Sequence, residues 1–577
     1  MDSDTDSKVT VDLVAAQQTF TKHWGFPNYR PAQKEVIEAA LRHEDVFAVL
    51  ATGYGKSACF QLPALMHEGC ALVISPLIAL MKDQAEDCVM RGIPASFINS
   101  HINSAVQEER IEAWLNGEYK LLYVSPERLG MVTFRNAIKR ANLNYLVVDE
   151  CHCASMWGHD FRPDYNRIHE VLEMLESVGK RPTVIAVTAT ATSDIETDIT
   201  RAIGMSRDYV KVVGDPVRPN LTYEVNPCVG TSVWGVVSSL AENFDLTQRH
   251  VIYAVSRRLA DETGERLSQM FGGSEGATAM VYHAGLSATE RTRVQEAFKT
   301  GACPIVVATC AFGMGIDVPN IRTVVHIGIP SSIEDYTQQT GRAGRDGLPS
   351  RCVLLLSEKA EATQVFFLNI ANPPVQMYAP VWEFLLRHAT SQTLKMTVKK
   401  MSQAINDNSG SAWSLTEETL STILNVLVSH KLIVRKYLQA KTPIEIDPDL
   451  VARAIADTTR FTPTQRWILK LLLSKVKHAS ANTIFVSLSD LANNLAIKED
   501  KLVTELETLK TRGLLIVGSL YSGKSTEVLT PHAELDLVLP FELLREKRRR
   551  AQLRLDAMID YYSSSDLRGY LRNYFMD

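Results

Sequence analysis

Unbroken apolar runs punctuate the first part of the chain at Val46–Leu50, Ala71–Ser75, Leu121–Ser125, Tyr145–Val148 and Thr183–Val187. Each is followed by a polar or helical crossover. A strand with no polar alternation is buried on both faces, and a repeated strand–helix alternation brings such strands side by side and parallel. From about residue 208 the pattern restarts, with strand-like runs at His250–Ala254, Ala279–Tyr282, Ile305–Ala308 and Thr323–Ile327. This predicts an α/β protein with two tandem parallel-sheet domains, 1–207 and 208–357.

Beyond residue 357 the rhythm changes to mostly helical. Residues 381–437 read as a helix, a polar loop, a helix over Leu415–Ser429 and a strand over Leu432–Tyr437. Residues 464–530 repeat the plan: helices Thr464–Lys475, Leu488–Leu495 and Glu499–Arg512, then a hairpin of Leu514–Val517 with Glu527–Leu529. Helix–turn–helix followed by a β-wing suggests tandem winged helices, 358–455 and 456–536. Either could grip duplex DNA or a protein. The end, 537–577, predicts a helical hairpin of Lys547–Tyr561 and Leu567–Phe575.

Composition narrows the class. The 577 residues are 45% hydrophobic and 22% charged, enough for several soluble cores. No apolar run is long enough for a membrane span, and the acidic start Met1–Lys8 has no secretory pattern. The nine cysteines lack paired spacing and none lies beyond Cys352, which suits a reducing compartment. The expected location is the cytoplasm, with a bacterial or viral-host nucleoid, or the nucleus of a eukaryote. A net charge of −5 means that any nucleic-acid groove must gather its basic groups locally.

The first candidate chemistry is Ala51-Thr52-Gly53-Tyr54-Gly55-Lys56-Ser57, directly after the run Val46–Leu50. Glycines let successive backbone N–H groups face a phosphate. Lys56 can reach the β/γ-phosphates and Ser57 can offer a hydroxyl to Mg²⁺. A helix over Ser57–Met66 would place its positive end under the same anion. Alone, the segment also fits a plain strand-to-helix turn. Asp149-Glu150, ending the strand Leu146-Val147-Val148, decides the matter: Asp149 can share the Mg²⁺ and Glu150 can activate a water. Upstream, Phe26 could stack on a base and Gln33 could hydrogen-bond its edge.

Taken together, Ala-x-Thr-Gly-x-Gly-Lys-Ser and Asp149-Glu150-Cys151-His152 resemble a superfamily-two helicase. The stretch His152–Pro163, with Trp157, His159, Phe161 and Arg162, resembles the aromatic-rich loop of the RecQ helicases, which links single-strand contact to ATP hydrolysis in that family. Phe26, Arg30 and Gln33 match the RecQ adenine motif. Gln338-Gln339-Thr340-Gly341-Arg342-Ala343-Gly344-Arg345 resembles the arginine-finger motif, with Arg345 as finger and Arg342 and Gln338 in support. His283–Leu286 and Thr309–Asp317 match further RecQ motifs.

The resemblance covers residues 20–357 and implies two RecA-like domains binding ATP and Mg²⁺. It assigns Thr52, Gly53, Tyr54, Gly55, Lys56 and Ser57 to the nucleotide. It assigns Lys82, Ser125, Arg128, Trp157, His159, Phe161, Arg162, His283 and Thr309 to DNA. Two departures are visible. Tyr54 replaces a glycine of the usual loop, and Val318 stands where many members carry Lys; neither removes essential chemistry. Cys151 and Cys153 are too close together to wrap a tetrahedral ion and are expected to pack at the strand end.

The terminal hairpin resembles the RecQ zinc domain, including Tyr574-Phe575, but Tyr561, Tyr562, Asp566 and Leu567 occupy the neighbourhood of the usual cysteines. No zinc is expected there. Its basic run Lys547–Arg550 reads first as a solvated helix face. In the second module, Gly518–Ser525 matches a phosphate loop on paper, yet the following Thr526–Thr530 is β-prone and Pro531 interrupts, so it should be a turn.

The expected function is a monomeric 3′→5′ DNA helicase, with a DNA tail and junction as partner and possible contacts to single-strand-binding or repair proteins. Rivals are a DNA translocase that does not part strands, an RNA helicase, and a winged-helix binding protein with a vestigial ATPase.

Overall fold

The computed structural model describes residues 12–576 apart from 77, 100–101, 158–160, 229–231, 272–277, 314–317, 390–392, 410–413, 438–441, 477–482 and 518–523. They divide into two compact units: one up to Val365 together with Arg550 onward, the other Phe366–Arg549.

The first unit holds two parallel sheets. The first comprises β1 (Val46–Val49), β2 (Cys70–Ile74), β3 (Ala95–Ile98), β4 (Leu121–Val124), β5 (Leu143–Asp149), β6 (Thr183–Thr188) and β7 (Val210–Val213), in the order β3-β4-β2-β5-β6-β1-β7. The second comprises β8 (Leu221–Pro227), β9 (Arg249–Ala254), β10 (Ala279–Tyr282), β11 (Ile305–Ala308), β12 (Ile321–Ile327) and β13 (Ser350–Leu356), in the order β10-β11-β9-β12-β13-β8. Successive residues of one strand feed opposite cores. Phe47, Leu72, Leu146 and Val148 face one cluster, while Ala48, Val73, Tyr145 and Val147 face the other. That two-sided burial is why the strands read as unbroken apolar runs.

The expected boundary at 207/208 falls short. β7 pairs with β1, Val46 opposite Val210, so the first sheet ends at Val213. The strands β3, β7, β8 and β13 were not expected; the first three are edges that are short or half-exposed, and β13, though interior to its sheet, opens on Ser350 and Arg351 and so lacks a long apolar run.

In the second sheet His326 is fully enclosed, stacked on Tyr253 and hydrogen-bonded through Nε2 to Gln339 Oε1 at 2.8 Å. Burial lowers its pKa to about 4. The unfolded chain takes up a proton near pH 6.5 and the folded site only near 4, so stability falls as pH drops through that window. The full loss is roughly 3 kcal/mol. We expect His326→Gln to be less stable at neutral pH but to lose less on acidification. Urea midpoints at about pH 7.5 and about pH 5 would check this; equal acid losses in both proteins would contradict it.

In the second unit, β14 (Ile433–Tyr437) pairs antiparallel with β18 (Lys524–Val528), and β15 (Thr442–Ile446) pairs with both β16 (Thr483–Val486) and β17 (Leu515–Val517). The expected hairpin of Leu514–Val517 with Glu527–Leu529 is therefore not formed. Its two halves belong to different sheets, and their partners lie far away in sequence, where no local pattern can point to them. Two cores result. One joins Tyr378–Ile433 to Val528–Leu539, and the other, Ile444–Leu515, lies between those segments in the chain. The helix Pro448–Ala456 was also unforeseen; Asp447 caps it through Asp449 N and Leu450 N. Of the decoy loop, 518–523 lies outside the described residues, and Lys524-Ser525 begins a strand rather than a helix.

Residues Phe541–Ser563 and Leu567–Met576 form the two terminal helices. Within the first unit, Met558, Tyr561, Leu571 and Phe575 join Val217, Ile333 and Tyr336 in one core. Tyr561 OH donates to Tyr336 OH at 3.2 Å, and Tyr574 OH donates to Glu334 Oε1 at 3.0 Å. Tyr561 and Tyr574 thus tie the terminal helices to Tyr336 and Glu334 of the second lobe.

Candidate nucleotide-binding and active site

The C-terminal ends of β1 and β5, flanking that of β6, meet the second lobe in a cleft of about 500 Å³. Thr52, Gly53, Gly55, Lys56 and Ser57 line it from the loop after β1, Asp149 and Glu150 from the end of β5, and Gln338, Arg342 and Arg345 from the second lobe. Gly53 and Gly55 adopt φ of 80° and 86°, which a side chain resists. Ser57 opens the helix Ala58–Met66 without capping it through its hydroxyl.

Lys56 Nζ lies 3.8 Å from Glu150 Oε1. Glu150 itself is held at φ 48°, uncommon for a residue with a side chain, and its N–H donates to Asp149 Oδ1 at 3.0 Å. Glu150 Oε2 has no hydrogen-bond partner, though His152 Nδ1 stands 3.4 Å away. His152 is fully buried and bonded through the same nitrogen to Thr188 Oγ1 at 2.8 Å, so the ends of β5 and β6 are tied together. Tyr165 OH donates to the Asp149 carbonyl at 3.0 Å.

Burial first, and then the neighbouring Glu150 carboxylate, push the Asp149 pKa up to about 6. Its hydrogen bonds from Ser75 and Gln84 are long, 3.4 Å each. A buried carboxylate so weakly satisfied suits a divalent cation, which would relieve both causes. Among the described residues no group of three or more His, Cys, Asp or Glu could hold a metal ion. One carboxylate and one hydroxyl fit Mg²⁺, which takes its remaining ligands from phosphate and water.

The upstream motif is folded onto the loop. Gln33 Oε1 accepts from Arg30 N at 2.9 Å, and its Nε2 donates to the carbonyls of Tyr54 and Gly55 at 3.1 and 3.0 Å. Arg30 Nη1 donates to Gly53 O at 2.9 Å, and its guanidinium lies over the Tyr54 ring. Phe26 is exposed. Tyr54 thus gives Arg30 a surface that the usual glycine could not.

The lobes touch at Gly341: an added Cβ would sit 2.7 Å from Thr52 Cβ and 2.9 Å from Thr337 O. We expect Gly341→Val to prise the second-lobe arginines from the loop and reduce ATP turnover by about 10-fold or more, with little change in melting temperature. Turnover beside thermal melting checks this; wild-type turnover would sink it.

The DNA candidates are scattered. Lys82 pairs with Glu86 on an exposed helix face at 3.8 Å. Ser125 starts the turn Pro126–Gly130, and Arg128 Nη2 donates to Gln107 Oε1 at 2.7 Å. Arg162 Nη1 donates to Pro76 O at 2.6 Å, Phe161 is half-buried, and His159 lies outside the described residues. Trp157 differs from the expected open stacking face. The Arg550 guanidinium lies 4.6 Å from its ring centroid and Arg554 donates to its carbonyl. His283 bonds Asp261 through Nε2 at 2.9 Å, and Thr309 is half-buried at the end of β11. Cys151 and Cys153 are packed in the first core, as expected, and burial pushes the Cys151 thiol well up. His152 and Thr188 were candidates at their strand ends with no role assigned, and Arg218 was not foreseen as part of the site.

Comparisons with known proteins agree with this geometry. The DEAD/DEAH box helicase family matches residues 30–197, and the helicase conserved C-terminal domain matches 237–347. The two matches fall one on each of the two parallel-sheet lobes. The chain is 38% identical over 380 residues to the ATP-dependent DNA helicase RecQ of Pasteurella multocida, and 37% identical over 403 residues to that of Haemophilus influenzae. Over these residues the chain is similar to RecQ helicases. These alignments cover 65% and 69% of the chain, which spans 58% and 62% of those relatives' length. The DUF1998 helicase MrfA in its DNA-bound crystal structure shares the fold at TM-score 0.51 and 19% identity, covering 73% of this chain and 61% of that one. Among the described residues no helix is long and apolar enough to cross a membrane.

Proposed function

We propose that this protein is an ATP-dependent DNA helicase that moves 3′→5′ along a single strand and parts the duplex ahead of it. The observation that carries this reading is the convergence of Lys56, Asp149 and Glu150 from one lobe with Gln338, Arg342 and Arg345 from the other around one cleft. Lys56 binds the β/γ-phosphates and Glu150 takes the proton of the attacking water. Arg345 meets charge on the transferring phosphoryl group, with Arg342 and Gln338 behind it. Asp149 and Ser57 hold Mg²⁺, which neutralises phosphate charge. Phe26, Arg30 and Gln33 face the adenine end; Gln33 must exchange its loop carbonyls for the base.

DNA contact is assigned to Lys82, Ser125, Arg128, Trp157, His159, Phe161, Arg162, His283 and Thr309, and duplex contact to the two modules of the second unit, read as winged helices. The terminal hairpin holds no zinc. The protein acts as a monomer on a tailed junction, inside the cell, in repair or recombination alongside single-strand-binding proteins.

A second reading, a translocase that does not separate strands, is favoured by Trp157 lying under Arg550, which would weaken its grip on a base. Duplexes with a 3′ or a 5′ single-stranded tail, assayed with ATP turnover in the same tubes, test both. Opening of the 3′-tailed duplex alone supports the helicase. DNA-stimulated turnover without opening supports the translocase, and turnover no faster than that of Lys56→Ala sinks both.

A further inference from the structure

The segment between β7 and β8 is short and held from both sides. Asp215 pairs with Arg572 at 2.7 Å and accepts from Val217 N at 2.9 Å. Asn220 Nδ2 donates to the carbonyls of Gly344 and Leu348 at 2.8 and 2.9 Å. Arg568 Nη1 donates to Leu221 O at 2.9 Å and its Nη2 to Arg218 O at 3.3 Å. With its backbone so fixed, Arg218 is brought against Gly53, which lines the nucleotide cleft.

Arg218 as a residue is 9% exposed, and its guanidinium donates from Nη2 to Ala343 O. Nη1 lies 2.6 Å from where a Cβ on Gly53 would be, and Nε has no partner. Arg345 Cγ is 3.4 Å from that same point, and Arg30 Nη1 bonds Gly53 O. Two guanidinium groups, with the stem of Arg345 beside them, therefore converge on one glycine of the phosphate loop. Burial lowers the Arg218 pKa to about 10, and Arg345 and Arg30 add to the shift; its other leading ionisable neighbours, Tyr223 and Cys352, are neutral at pH 7. A buried cation beside two others, with no carboxylate among those neighbours, is costly unless an anion joins them. The anion that this cleft takes is a nucleotide phosphate. Arg218 stands with Arg345 on the second-lobe side of Gly53, so it meets the same end of the phosphate chain.

We propose that Arg218 is a specificity-determining residue of the cleft: beside Arg345 it receives the terminal phosphate of a nucleoside triphosphate, and a diphosphate leaves it unpaired. This rests on the cleft being the ATP site. Because the segment carrying Arg218 is gripped by Arg568 and Arg572, loss of the terminal phosphate is felt where the C-terminal helix meets the lobes.

The test is the affinity of the full chain for a fluorescent non-hydrolysable ATP analogue and for the matching ADP, with Mg²⁺. Losing a charge-assisted contact should weaken triphosphate binding in Arg218→Gln by roughly 10- to 100-fold and diphosphate binding by less than about threefold. Arg218→Lys, which keeps the charge but not the fork, should fall between. A purely structural role would weaken both nucleotides alike, so an unchanged ratio of the two affinities overturns the proposal. Should Arg218→Gln melt early, the same ratio in Arg218→Lys decides. Wild-type protein binding neither nucleotide would instead overturn the ATP-site reading, for which Lys56→Ala, weakening both, is the control.

Discussion

Arg345→Ala is expected to slow ATP turnover by about 10³-fold or more, the scale on which arginine fingers act in phosphoryl transfer. The side chain reaches from the second lobe to Gly53 of the first and lines the cleft with Lys56 and Glu150. Charge accumulates on the phosphoryl oxygens only as the bond breaks, so the loss should fall mainly on kcat, with nucleotide affinity moving far less. Arg342 makes the contrast. It is 3% exposed, and burial pushes its pKa down, with Tyr253 opposing. Truncating it opens a cavity in the second lobe, so Arg342→Ala should lower the melting temperature as well as the rate. Arg345→Lys should not rescue, because an ammonium cannot present two N–H groups in a plane. Turnover by Arg345→Ala within about tenfold of wild type, at unchanged melting temperature, would remove Arg345 from the finger role and leave Arg218 as the candidate.

Why these residues were legible and others were not has a physical answer. Lys56, Asp149, Glu150 and Arg345 sit in turns at or near strand ends, where a loop must satisfy chemistry and cannot drift; their neighbours in sequence are their neighbours in space. Most central strands were equally plain, because burial on both faces leaves an unbroken apolar run; β13 is the exception, since Ser350 and Arg351 interrupt its start. Edge strands such as Val210–Val213 have one neighbour and half the burial, and their signal fades accordingly. Arg218 was invisible for a different reason. Pro216–Asn220 looks like any Pro-containing connection, and the arginine becomes interesting only when Gly53, from 165 positions earlier, is brought against it. The pairing of β14 with β18 is the extreme case, since what separates them folds on its own core.

Trp157 follows the end of β5 closely in the chain, yet its partners come from far away. Nothing in the sequence around it says that Arg550 and Arg554, nearly four hundred residues away, would take the ring and the carbonyl. The run of basic charge at Lys547–Arg550 reads first as a solvated face, with phosphate contact as the alternative. The structure splits that run: Arg548 bonds Asn369 and the Asn372 carbonyl, while Arg550 covers Trp157. Sequence patterns report how polar a face is, and a guanidinium satisfies a polar pattern equally well on an aromatic ring.

Glu150→Gln is expected to leave nucleotide binding within about threefold of wild type and reduce turnover by about 10²- to 10⁴-fold, the range for removing a general base. The prediction depends on how the carboxylate is held. The left-handed backbone at Glu150 aims the side chain between Lys56 and His152 rather than back along β5. Oε1 faces the lysine at 3.8 Å, and Oε2 is buried with no hydrogen-bond partner. A buried carboxylate oxygen with no hydrogen-bond partner among the described residues is poised to accept a proton from water. Glutamine keeps the volume and the acceptor but not the basicity, so the lobes should still close and the DNA-bound, ATP-bound state should persist instead of turning over. Thr188→Val should act in the same direction and more weakly, by freeing His152 and widening the angles that Glu150 can adopt. If Glu150→Gln turned over ATP within about tenfold of wild type, water activation would have to pass to another base, and the 3.4 Å approach of His152 would make that histidine the residue to replace next.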